Sequence, residues 1–247
     1  MIRVVFFGTS EESTYALKAL MDDARLEVAA VVTQPPRATG RRQTLEPSTV
    51  ARIAQERGIE VLTPEKPMEV LDRLQTIAAD MFVVSSYGRI LPKVIVDLPS
   101  HGSINVHPSL LPRWRGATPV PATIKAGDET SGITIIVMDE KMDHGPILDQ
   151  VEAPVPLKAT TATYLHELMR LGAERLPDVL VRFVDATITP TVQDHRRATF
   201  CKLLSRDDGR IDWSRATEEI ESTVRAYDPW PGTWTEIQDS GAWKRIK

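Results

Sequence analysis

The 247-residue chain is 42% hydrophobic and 26% charged, with a net charge of −4, which excludes a disordered chain and a protein that coats nucleic acid over its whole surface. Cys201 is the only cysteine, so an intramolecular disulfide and a thiolate-rich metal site are excluded as well. Val4-Val5-Phe6-Phe7, cut off by Gly8, is too short for a signal-peptide core, and no apolar run approaches the roughly 18 residues of a membrane span, so a cytoplasmic protein is expected.

The elements follow in chain order. Residues 2–7 form a buried strand ending in Gly8-Thr9-Ser10, and Tyr15, Leu17 and Leu20 mark a helix. Val28 to Val32 is a second strand. Thr33 to Pro47 is polar, basic and irregular, long for a connection inside a compact α/β unit, and loops of that length often serve function. Ser48 reads as an N-cap, and Gly58 suits the stop of the helix that carries Val50, Ile53 and Ala54. Ile59 to Leu62 is a strand, and Pro67 opens a helix through Val70, Leu71, Leu74 and Ile77. Met81 to Val84 and Ser103 to Val106 are strands, and Thr118-Pro119 starts a short helix that Gly127 ends. Ile133 to Met138 and Ile147 to Val151 extend the sheet, and Thr160 to Val184 is the longest amphipathic helix. Short apolar strands alternating with helices predict an α/β fold: a Rossmann-like, mainly parallel sheet with helices on both faces.

Near residue 190 the pattern changes. Arg206 to Gly209 is a turn, Ser214 to Tyr227 a helix, and Thr233 to Ile237 with Ala242 to Ile246 a hairpin. A lone hairpin is marginal, so this tail reads as part of a second domain. The expected division is 1–190 for the main domain and 191–247 for a linker and a small helix-plus-hairpin extension.

One pair of residues stands out for its chemistry. Asn105 and His107 flank Val106 at the end of a strand, so both side chains point to one side, at the edge where open α/β sheets bind ligands. An amide donor and an imidazole there can stabilise an oxyanion and move a proton, as acyl transfer to an amine requires. Asp143 follows the strand 133–138 and can orient His107. On spacing alone, the same residues equally satisfy hydrogen bonds in a strand-end loop, and Asp143-His144-Gly145-Pro146 is equally a turn.

A resemblance separates these readings. Asn105-Val106-His107-Pro108-Ser109-Leu110-Leu111-Pro112, followed by Arg113-Trp114-Arg115-Gly116-Ala117, resembles the signature of the folate-dependent formyltransferases. Met138-Asp139-Glu140-Lys141-Met142-Asp143-His144-Gly145-Pro146-Ile147-Leu148 is similar to that family's second motif, in the same order and at the same spacing. The resemblance implies Asn105, His107 and Asp143 as catalytic residues and 10-formyltetrahydrofolate as co-substrate, with no metal. It implies Ser109, Leu110, Leu111 and Pro112, with Tyr87, Gly88, Arg89, Ile90 and Leu91, as the folate site.

Three further segments are similar to the branch of the family that acts on tRNA. They are Phe7-Gly8-Thr9-Ser10, the loop from Thr33 through Arg37, Arg41 and Arg42 to Ser48, and the region of Ile211-Asp212-Trp213 and Arg225 to Gly232. That similarity implies initiator methionyl-tRNA as acceptor, with Arg37, Arg41 and Arg42 on its phosphates. A monomer without membrane attachment is expected. In that branch a β-barrel follows the catalytic domain, so the extension here is expected to be a truncated barrel. Two departures stand in the loop, where Gln43 and Thr44 replace the usual lysines, and Pro121 stands where a glutamine is common. The alternatives are a formyltransferase for a nucleotide-linked amino sugar, relatives that act on glycinamide ribonucleotide or on water, and a non-catalytic folate- or tRNA-binding module.

Overall fold

The structure is a computed structural model that describes residues 1–39, 44–239 and 242–247. In chain order the elements are β1 (Ile2–Gly8), α1 (Ser13–Asp22), β2 (Leu26–Val32), β3 (Arg37–Thr39), β4 (Thr44–Glu46), α2 (Thr49–Glu56), β5 (Glu60–Leu62), α3 (Leu71–Ile77), β6 (Met81–Ser85), α4 (Lys93–Val96) and β7 (Ser103–His107). There follow β8 (Arg115–Gly116), α5 (Pro119–Lys125), β9 (Thr130–Val137), β10 (Ile147–Pro154), α6 (Thr161–Val184), β11 (Phe200–Cys201), α7 (Thr217–Ala226), β12 (Thr235–Asp239) and β13 (Ala242–Ile246).

Two compact units emerge, and each takes several stretches of chain. The first holds residues 1–107, 133–151 and 169–193, and the second holds 108–132, 152–168 and 194–247. The first is built on a seven-stranded sheet in the order β10-β9-β7-β6-β1-β2-β5. β5, β2, β1, β6 and β7 run parallel, and β9 is antiparallel to β7. From β1 the chain winds outward to β2 and β5, then returns to lay β6 and β7 on the other side. The order therefore reverses between β1 and β6, and a crevice opens at their carboxyl ends. The expected Rossmann-like sheet is present.

Burial explains why these strands are so apolar. Successive side chains point to opposite faces, and in a sheet covered on both faces every position must be buried. Val5, Phe7, Ala30, Val32, Phe82 and Val84 join Leu74 and Ile77 of α3 and Ile95 and Val96 of α4 in one cluster. Val4, Phe6, Val31 and Val83 are equally buried with the opposite parity, and α1 packs on β1 and β2. Each such aliphatic or aromatic side chain contributes about 1.5–3 kcal/mol through burial. Ser48 caps α2, accepting from Ala51 N at 3.0 Å, and Gly58 takes the left-handed φ of +69° after that helix, as expected.

The polar stretch 33–47 was expected to be irregular, yet it folds part of itself into β3 and β4, paired antiparallel through Arg37↔Glu46 and Ala38↔Leu45. In the second unit, helix α7 begins at Thr217, three positions later than the Ser214 start expected from sequence. The reason is local: the Asp212 carboxylate accepts from Ser214 N at 3.0 Å and Ser214 Oγ at 2.6 Å, holding that segment in a turn. The hairpin also starts two residues late, because Trp234 is engaged elsewhere. Its N–H donates to Gly209 O at 2.9 Å and its carbonyl accepts from Ile211 N at 2.9 Å.

The second unit packs α5 against α7, tied by Lys125 Nζ donating to the Tyr227 hydroxyl at 2.9 Å. Ser205 and Asp208 form a reciprocal cap on the turn 206–209, and Lys202 and Ser205 hold the Asp208 carboxyl well below the usual carboxylate range. Trp234 closes this region, donating its indole N–H to Arg206 O at 2.9 Å beneath the Arg245 guanidinium, which stands 3.6 Å from its ring centroid.

Candidate active site

β7 carries Asn105 and His107 to the carboxyl edge of the sheet, on the same side of the strand. Val106 between them is 3% exposed, and a Cβ added to Gly172 of α6 would stand 3.0 Å from its Cγ1. Close helix packing on one face thus fixes the polar pair on the other.

Asp143 arrives by a different route. β9 returns antiparallel to β7 with His107 opposite Thr134, and the loop that follows is closed at its base by Val137 N donating to Pro146 O at 2.9 Å. Within the loop Asp143 adopts φ +50°, a left-handed conformation that non-glycine residues rarely take, aspartate and asparagine being the usual exceptions. Its carboxylate reaches β7. Asn105 Nδ2 donates to Asp143 Oδ1 at 3.2 Å, and His107 Nδ1 lies 3.6 Å from the same oxygen. The first contact is a hydrogen bond; the second is a charge-range contact that a small shift would close. The side chains of His107 and Asp143 are only 5% and 12% exposed, so their interaction is screened little by water. The structure brings all three together, through residues 38 positions apart in the case of Asn105 and Asp143. Beside them His144 Nδ1 stands 2.6 Å from Asp139 Oδ2, so that imidazole is engaged within the same loop.

The nine residues expected at the folate site fall in two segments. Tyr87 to Leu91 belong to the first unit, after β6. The Tyr87 ring is buried edge-on against Phe7 at 5.5 Å, and burial raises its phenol pKa. Its backbone does the local tying: Tyr87 O accepts from Thr9 Oγ1 at 2.9 Å and from Gln34 Nε2 at 2.8 Å, across the crevice between β1 and β6. Gly88 takes φ +77° so close to Gln34 that a Cβ would meet its Nε2 at 2.6 Å. Arg89 faces Glu65 at 3.7 Å, Ile90 is 79% exposed, and Leu91 turns back into the core.

Ser109 to Pro112 belong to the second unit, although the chain runs straight into them from His107. Ser109 is buried and donates to Arg113 O at 2.7 Å, Leu111 is buried, Leu110 is half-buried, and the Leu111–Pro112 peptide is cis.

Of the three arginines expected to meet tRNA, Arg37 lies in β3, its guanidinium bonded to Gln34 Oε1. It lines a cleft of about 590 Å³ with Thr9, Ser48 and Arg52. Arg41 and Arg42 lie outside the described residues. Among the described residues no group of three or more His, Cys, Asp or Glu is placed to hold a metal, and no helix is long and apolar enough to cross a membrane.

Sequence reasoning missed two buried glutamines that organise this edge, Gln34 and Gln193, which are 7% and 4% exposed. Both lie in extended polar stretches where glutamine carries no pattern of its own. Only the partners, 48 to 53 residues away in sequence, reveal them.

The model of the formyl transferase family matches residues 2–180, and that of the formyl transferase C-terminal domain matches residues 203–247. The methionyl-tRNA formyltransferase of Marinobacter nauticus is 40% identical over 238 residues, which cover 96% of this chain and 76% of that protein. That of Roseiflexus castenholzii is 45% identical over 237 residues, covering 95% and 75%. Among solved structures, a 4-N formyltransferase from Francisella tularensis superposes with a TM-score of 0.76 at 17% identity, covering 99% of this chain and 96% of that one. Glycinamide ribonucleotide transformylase 1 from Symbiobacterium toebii gives 0.66 at 19% identity, covering 78% and 95%. These two structures share the fold, while the sequence relatives carry the finer kinship: the chain belongs to the formyl transferase family and, within it, to the methionyl-tRNA formyltransferases.

Proposed function

We propose that the chain transfers a formyl group to the α-amino group of initiator methionyl-tRNA, with Asn105, His107 and Asp143 as its catalytic residues. The observation that carries the chemistry is the single carboxylate oxygen of Asp143, which faces both the Asn105 amide and His107 Nδ1. Kinship at 40–45% identity over nearly the whole chain supports the acceptor. When bound, 10-formyltetrahydrofolate supplies the one-carbon group, and the loop Tyr87–Leu91 with Ser109–Pro112 would hold it.

The residues divide the work. Asn105 has two amide hydrogens; Asp143 orients the group through one, and the other stabilises the negative charge that develops on the formyl oxygen. A preorganised donor of this kind is worth roughly 3–4 kcal/mol in a water-poor site. Asp143 beside Nδ1 assigns the proton of the neutral imidazole to that nitrogen and leaves Nε2 to face the reacting groups. His107 Nε2 then accepts the proton lost by the attacking amine and returns it to the nitrogen that departs, while Asp143 stabilises the transient imidazolium. A new C–N bond forms as the old one breaks, and the proton moves from one nitrogen to the other. We assign residues 1–190 to this catalysis and 191–247 to a linker and C-terminal domain, in a cytoplasmic monomer.

The test is formyl transfer from 10-formyltetrahydrofolate to charged initiator tRNA, with a nucleotide-linked amino sugar as competing acceptor. Turnover on the tRNA with none on the sugar is expected. Turnover on the sugar, or only on water, would overturn the acceptor assignment while retaining the catalytic residues.

A further inference from the structure

Asp143 sits in a left-handed backbone conformation on a loop between two strands, a poor platform for a carboxylate that must be placed to a fraction of an ångström. Closure at Val137–Pro146 fixes the ends of that loop, and Gly145 lies so close to Val137 O that a Cβ there would stand 1.8 Å away. Neither contact fixes the middle. Gln193 does. Its Nε2 donates to Asp143 O at 3.0 Å and to Gly145 O at 2.7 Å, so one amide nitrogen bridges the carbonyls on either side of His144.

Gln193 is itself held. It is 4% exposed, and two residues earlier Thr191 pairs with Ile147 through two backbone hydrogen bonds of 2.8 Å. The far end of the Asp143 loop, where β10 begins, is thus paired directly with the segment that anchors Gln193. A primary amide is the only uncharged side-chain group that offers two N–H donors from one atom, and glutamine has the reach that asparagine lacks.

We propose that Gln193 is a positioning residue for the formyl transfer: its amide clamps the loop on both sides of His144 and thereby sets the Asp143 carboxylate against Asn105 and His107. The proposal rests on the reading of Asp143 as catalytic. Gln193 touches no reacting atom in this scheme, so its loss acts on turnover through misplacement, which can cost about 100-fold when a catalytic group moves by an ångström.

The experiment is a double-mutant cycle on formyl transfer by the full chain, combining Gln193→Met with Asp143→Ala and normalising rates to folded protein by tryptophan fluorescence. Gln193→Met keeps the length of the side chain and removes both donors. It is expected to lower kcat by about 10- to 100-fold with KM for folate and for tRNA within about twofold. In the Asp143→Ala background the same change is expected to cost less than about twofold, because the group it positions is gone. An equal loss in both backgrounds, or no loss with Asp143 present, overturns the role of Gln193. A full-rate Asp143→Ala enzyme would instead overturn the reading of Asp143. Gln193→Asn keeps the polar group but shortens the reach, and it serves if the methionine variant folds poorly; retention of wild-type kcat in Gln193→Asn also overturns the clamp.

Discussion

At the scale of single residues, the candidate site turns on one oxygen. Asp143 Oδ1 takes the Asn105 amide at 3.2 Å and faces His107 Nδ1 at 3.6 Å, so any one of the three substitutions disturbs the other two groups. Asn105→Ala, His107→Ala and Asp143→Ala should each lower kcat by about 100-fold or more, the range of single oxyanion-hole and acid–base groups, with little change in thermal stability. Steady-state kinetics of the three variants decide the matter, and near wild-type rates in two of them would remove the assignment. Because the groups act as a unit, double variants should fall well short of the product of the single losses. The pair on β7 is legible in the sequence, since a period of two places Asn105 and His107 on one side of a strand whatever the rest of the chain does. Asp143 is different. Its approach depends on a loop conformation that no local pattern specifies, so its place after the strand 133–138 makes it a candidate and only the resemblance to a known motif singles it out. The contacts of Thr9, Gln34 and Gln193 are not legible, because each is made with partners that the fold alone brings near.

At the scale of elements, the position of that pair depends on how α6 lies against the sheet. Gly172 is the point of closest approach: a Cβ there would stand 2.9 Å from Ile133 Cγ1 and 3.0 Å from Val106 Cγ1. Both neighbours are β-branched and buried, so neither can swing aside. Gly172→Ala should therefore destabilise by about 1–2 kcal/mol, overpacking outweighing the better helix propensity of alanine. Thermal denaturation should show a fall of roughly 2–8 °C. An unchanged or raised Tm would mean that the helix has room the distances deny. Elements of this kind are the most legible part of the chain. Runs such as Val4 to Phe7 and Met81 to Val84 read as strands because they are short, rich in valine and phenylalanine and bounded by polar or glycine residues, as suits a sheet covered on both faces. Legibility fails where a side chain competes with the backbone, as when Asp212 delays α7 by taking up Ser214, and where pairing is made by short polar segments such as β3 and β4.

At the scale of the molecule, the division read from sequence at residue 190 runs along the chain, whereas the compact units interleave. Residues 108–132, with α5, group with 194–247, with α7, so the expected folate segment 109–112 belongs with the C-terminal residues. The larger electrostatic question concerns the acceptor. A chain of net charge −4 must bind a polyanion, and the long-range field of these 247 residues does not favour that encounter. Binding must then come from a local set of cations that release counterions from the tRNA, and the loop carrying Arg37, Arg41 and Arg42 is such a set. Each phosphate contact contributes about 0.7–0.9 to the slope of log affinity against log salt, depending on whether the contacted strand is single or paired. The double variant Arg41→Ala/Arg42→Ala should therefore raise KM for tRNA and flatten that slope by roughly 1.4–1.8, while folate binding stays as it was. Filter binding of charged initiator tRNA from about 50 to 200 mM salt measures the slope directly. A weaker affinity with the wild-type slope would mean that these arginines shape the loop without meeting phosphate, and the cations that do meet it would have to be sought among Arg37 and Arg52 around the cleft at Thr9.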